Sequence, residues 1–159
     1  MTPQSLLQLL HDDLEPWAKA RRAEVSLAAD AYDVMEILYN RPGAMRIILH
    51  WGGDDAQGST GQEGVVTHRI DVVVARPHGL PQEKGDMLVK STHGAAPMLT
   101  MLEDVRQHLR GLPLPADFSN EGFLDYRGTE PLVTPEGVPL AAYRLKFALW
   151  AALDAPYDR

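Results

Sequence analysis

The stretch Val65–Pro77, VVTHRIDVVVARP, constrains the fold more than any other part of this chain. Val66, His68, Ile70, Val72 and Val74 fall on one side of a two-residue period, and Val65, Thr67, Arg69, Asp71 and Val73 on the other. Only an extended strand sorts side chains in this way. The first set is apolar apart from one histidine and is expected to face a core, and Pro77 ends the run because it has no backbone donor. An earlier run, AMRIILHW, reads as a second strand with Ile47, Leu49 and Trp51 inward. Between the two lies HWGGDDAQGSTGQEG, His50 to Gly64, with five glycines. The two strands are expected to pair antiparallel, with this glycine-rich stretch as their connection.

The flanking segments supply helices. From Gln4 to Arg22, Leu6, Leu7, Leu10, Leu14, Trp17 and Ala18 recur near helical spacing, and Pro16 is expected to kink or split the helix. EVSL reads as an edge strand, and Asp30 can cap a short helix carrying Val34, Ile37 and Leu38 before NRPG ends it. Residues Pro77 to Gly94 lack a period and read as an extended, partly ordered excursion. Met98, Met101, Leu102, Val105 and Leu109 form a clear helical stripe, with Pro97 at its start and Gly111 at a position suited to a left-handed cap. LPLPADFSNEG is a loop. FLDYRGTE and PLAAYRLKFALWAAL then form a second antiparallel pair around a Pro-Glu-Gly turn, with Tyr143, Leu145, Phe147 and Leu149 inward and Arg144, Lys146 and Trp150 outward, the alanines leaving a helical ending open. The expected fold is a single α+β domain: an antiparallel sheet of about four main strands covered by helices on one face.

Composition narrows the chemistry. The 159-residue chain has no cysteine, which removes thiolate nucleophiles, disulfides and cysteine-based metal centres. Its formal net charge of −7 disfavours tight non-specific binding to a nucleic-acid backbone. The start of the chain lacks a signal-like pattern, so neither export nor a membrane anchor is expected.

The glycine-rich stretch is a poor phosphate cradle, because it leads into a strand and not a helix and contains no basic residue. A metal site is the sharper alternative, since His50, Asp54, Asp55, His68 and Asp71 are of ligand type. Strand alternation turns His50 away from the side occupied by His68, and only a β-bulge or another register would unite them. The plainer reading is a buried, hydrogen-bonded His68 and a solvated Asp54–Asp55 pair. No Gly-x-Ser-x-Gly elbow occurs, and His11, His78, His93 and His108 accompany no serine in a triad-like pattern. Arg69, Arg144 and Lys146 are expected on the outward sheet face, either balanced by Asp71 and Asp125 or turned toward an acidic neighbour. No catalytic residue, metal or cofactor is assigned.

YRGTEPLVTPEGVPLAAYRLKFALWAAL (Tyr126–Leu153), together with ILHWGGDD and PMLTMLEDVRQHLRGL, resembles small tail-assembly proteins of tailed bacteriophages and prophages. The resemblance is to the tail terminator or tail completion group, Mu-like or lambda-like, and it covers most of the chain in element order. It implies a structural protein of the virion tail, assembled in the host bacterial cytoplasm. Such a protein forms a ring with its own copies, commonly a hexamer, which caps the tail tube protein and docks to the head-neck connector protein while DNA passes through without sequence-specific binding. It implies neither a cofactor nor a membrane. For that role the contact loops are Gly52–Gly64 and Pro77–Gly94, with Asp54 and Asp55 available to basic partners and Met87, Leu88 and Val89 as an apolar anchor, unless these three pack on their own subunit. Another head-tail joining or neck protein would share these features. A small metal-dependent hydrolase centred on His50, Asp54 and His68 is the rival from a different class.

Overall fold

The computed structural model describes residues 2–40, 45–57, 65–77, 83–91, 96–115, 122–134 and 140–152. In chain order the elements are α1 (Pro3–Lys19), β1 (Ala23–Ala28), α2 (Ala31–Asn40), β2 (Met45–Gln57), β3 (Val65–Pro77), α3 (Glu83–Asp86), α4 (Met98–Gly111), β4 (Asp125–Leu132) and β5 (Leu140–Ala152). The strands form one sheet of five, in the order β1-β2-β3-β5-β4.

The α+β class holds, with two corrections to the expected sheet. β1 pairs parallel to β2, so the sheet is mixed and has five strands, while the β2–β3, β3–β5 and β4–β5 pairs are antiparallel. A helix between β1 and β2 carries the chain back to the starting end of the sheet, which a parallel pair requires. Helices also cover both faces. Leu6, Leu10 and Leu14 of α1 and Met98, Met101, Val105 and Leu109 of α4 share one core with Ile47, Leu49, Ile70, Val72, Val74, Leu145, Phe147 and Leu149. On the other face Val34 and Leu38 of α2 join Ala28, Ile48, Val73, Ala75, Leu140 and Ala142. The uninterrupted apolar runs Ile47–Leu49 and Val72–Ala75 are what a strand buried on both faces looks like.

Local chemistry accounts for the helices. Thr2 caps α1 through a reciprocal capping box with Ser5. Pro16 does not split the helix: it lies in the last turn on the exposed side, and α1 runs unbroken to Lys19. Asp30 accepts the Asp33 backbone N–H at 2.8 Å, capping α2. Gly111 is the last residue of α4 and takes no left-handed turn; Leu112, in extended backbone, is the cap. A side-chain pin joins the two helices of the larger core, where His108 meets Asp13 at 2.6 Å and stacks against Trp17 at 4.7 Å.

Several stretches read from the sequence as turns or connections, in part or whole, lie outside the described residues: 41–44, 58–64, 78–82, 92–95, 116–121 and 135–139, with His78 and His93 among them. Within the Pro77–Gly94 excursion, α3 leads into Met87 and Leu88, whose carbonyls accept the backbone N–H groups of Met98 and Leu99 at the start of α4.

Candidate interaction surface

The face opposite α1 and α4 divides into two halves. Over β1 and β2 it is covered by α2, whereas toward the far ends of β2, β3 and β5 its side chains become polar and partly exposed. That second half holds most of the polar residues singled out from the sequence.

Two bulges decide which residues reach it. Trp51 pairs with Ile70, yet the next matched pair is Asp54 with His68, so two residues of β2 are passed over by one of β3. Gly53 makes this possible with φ of 92°, a conformation that glycine adopts without steric cost. The register shift turns Asp54 toward the core face, across from His68, and Asp55 toward the open face. In the same way Tyr126 pairs with Phe147 but Gly128, at φ of 129°, pairs with Lys146, which brings Glu130 opposite Arg144 on the open face.

The open half carries a chain of ion pairs. Asp55 lies 3.7 Å from Arg69, and Asp71 lies 3.7 Å from His50 and 4.0 Å from Arg144. Glu130 then accepts from Arg144 at 3.2 Å and from Lys146 at 3.3 Å. The hydrogen bond from Lys146, with Arg144 adding to it, holds the Glu130 carboxyl below the ordinary carboxylate range. Arg69, Arg144 and Lys146 are thus matched by Asp55, Asp71 and Glu130, and the surface carries no large excess of either sign. Asp125, assigned from the sequence as a balancing acid, pairs instead with Arg127 at 2.9 Å. Glu130 is the residue that the sequence reading missed, because its face is set by the Gly128 bulge.

On the core side, His68 is 6% exposed and accepts the Trp51 indole N–H on Nδ1 at 3.4 Å. Burial pushes its imidazole below the ordinary value of 6.5, against the pull of Asp54. A neutral ring that accepts on Nδ1 carries its proton on Nε2. His50 lies on the opposite face, so His50, Asp54 and His68 do not converge. Among the described residues no group of three histidine or acidic side chains is placed to hold a metal ion. Asp54 and Asp55 are both exposed.

The proposed apolar anchor divides. Met87 is 1% exposed and Leu88 packs on the larger core, so those two side chains are spent on their own subunit, while Val89 is 66% exposed. Two buried cations also escaped the sequence reading. Arg46 reaches Glu24 at 2.9 Å, tying β1 to β2, and Arg76 donates to the Ala96 carbonyl at 2.5 Å, tying β3 to the approach to α4. Nothing in the local pattern distinguishes them from surface arginines. Among the described residues no helix is long and apolar enough to cross a membrane. No protein-family model matches the chain, and no curated protein matches it.

Proposed function

We propose that this chain is a structural subunit of a bacteriophage tail, of the terminator type, which assembles with its own copies into a ring that caps the tail tube and meets the head neck. The observation that carries this reading is the projecting end of the sheet. β1 stops opposite His50 and β4 opposite Ala148, and from Asp54 to Gln57 β2 runs on with only β3 and β5 beside it, about 13 Å at the rise of a strand. An arm of three hydrogen-bonded strands is stiff, and its polar face is already paired within itself, so it can enter a wet contact without stranding an unpaired charge. That combination suits a subunit that must lie against a neighbour in one fixed orientation. The net charge of −7 supports the same reading, since an acidic ring lets DNA pass its lumen without adhering.

The test is the mass of the protein in solution, by light scattering over a concentration series, with negative-stain images of the same samples. The expected result is a discrete multiple of 17.6 kDa and annular particles. A monomer up to the solubility limit, unchanged by a chemical crosslinker, would overturn the proposal.

A further inference from the structure

The sheet ends in two strands, and only one of its edges is guarded against further pairing. β4 carries Pro131, which lacks a backbone donor, and the Gly128 bulge, which breaks its ladder; both discourage another strand. β1, AEVSLA, has neither device. Its six residues match Met45 to His50 of β2 without a shift, and its one charged residue, Glu24, is turned to Arg46 at 2.9 Å across that ladder. Among the described residues no strand lies beyond β1. Every second residue of a strand directs its N–H and C=O away from the neighbour it pairs with, so β1 offers a row of outward backbone groups at strand spacing.

Helices flank this edge on both faces, α1 against Ala23 and Val25 and α2 against Ala28, and each leaves a cleft beside the strand. The cleft toward α2, about 470 Å³, is bordered by Ser26, Leu27, Asp33, Glu36 and Ile37. The cleft toward the end of α1, about 540 Å³, is bordered by Glu15, Lys19, Arg22, Val25 and again Ser26. A strand laid along β1 sends alternate side chains to opposite faces, and so one set into each cleft. The clefts differ in charge. On the α2 side Glu24, Asp30, Asp33 and Glu36 stand against Arg46, and α2 itself contains no lysine or arginine. His50, opposite Ala28, lies against Asp71 and adds no excess cation there. On the α1 side Lys19 and Arg22 accompany Glu15, so that cleft is of mixed sign.

We propose that β1 takes up an extended segment of another protein as an added strand, one whose alternate residues are lysine or arginine and turn toward α2. Backbone hydrogen bonds to β1 hold the segment, and the acidic cleft selects its basic side chains, whose aliphatic stems lie along Leu27 and Ile37. A second copy of this chain fits the edge less well. The two-fold axis of an antiparallel β1–β1 pair runs normal to the sheet, keeps like faces on the same side and sets one acidic α2 against the other. The inference does not depend on the ring reading above.

The probe is a fluorescent hexapeptide of alternating lysine and valine, titrated with the protein by anisotropy, with hydrogen exchange reporting on the β1 amides. Binding is expected, with slowed exchange between Val25 and Leu27. Two controls keep the charge and change the geometry: the same residues in blocks of lysine and valine, and the alternating peptide methylated on every second backbone nitrogen, made in both phases. The block peptide and one methylated phase are expected to bind at least about tenfold more weakly, since each loses ladder hydrogen bonds. Glu36→Lys, at an exposed position of α2 and with folding checked by circular dichroism, is expected to weaken the alternating peptide several-fold. Equal binding of the block peptide, or of both methylated phases, would show attraction by net charge alone and overturn the proposal, as would no binding at about 1 mM peptide. Protection of β1 in the protein alone that rises with protein concentration would put a second copy on this edge and overturn it too.

Discussion

His50 and His68 sit on adjacent strands of one hairpin, and the sheet treats them in opposite ways. His68 points into the core, where the Trp51 indole N–H donates to it and burial favours its neutral form. His50 points to the open face, where it lies near Asp71 in a chain of partly buried ion pairs. The same residue type serves as a packed core side chain in one place and as a member of a solvated polar network in the other. What separates them is the strand period, and what rearranges the neighbouring carboxylates is the bulge at Gly52 and Gly53.

The contrast between the two faces is broken most forcefully on β5, where alternate residues serve each face. Phe147→Ala, on the core face, is expected to destabilise the protein by about 3–5 kcal/mol, read as a fall in the urea midpoint at unchanged slope. Lys146→Ala, one residue away on the open face, is expected to cost about 0.5 kcal/mol or less in the same measurement. Equal effects would mean that the open half is not solvated.

A smaller effect tests the bulge. Gly53→Val forces a branched side chain into a left-handed backbone and is expected to cost about 1–3 kcal/mol, measured in the same way. A neutral result would show that the Trp51–Asp54 shift is not held in the folded protein.

The least effect is a dependence on pH from His68. Because its folded-state value lies below the ordinary 6.5, the unfolded chain takes up a proton first as pH falls. Stability therefore declines as pH drops through about 6.5 and stops declining from this source once the folded-state value is passed. In His68→Gln that part of the slope is expected to vanish. A variant whose urea midpoint tracks the wild type at every pH would sink the assignment of a buried neutral imidazole.

The sequence by itself determined the strands, the inward sets of Ile47, Leu49, Ile70, Val72, Leu145, Phe147 and Leu149, and the stripe of α4, because these rest on a repeat between near neighbours along the chain. It also placed His50 and His68 on opposite faces, since the shift at Gly53 falls beyond His50 and leaves the two apart. Tertiary structure alone decided that β1 runs parallel, that α2 closes the second face, that Asp54 and not Asp55 takes the core face, and that Glu130 joins Arg144 and Lys146. Each of these depends on which strand lies beside which and on where one residue is passed over in a ladder. A single added residue turns every later side chain to the other face, so the outcome is a property of the paired strands and not of either one.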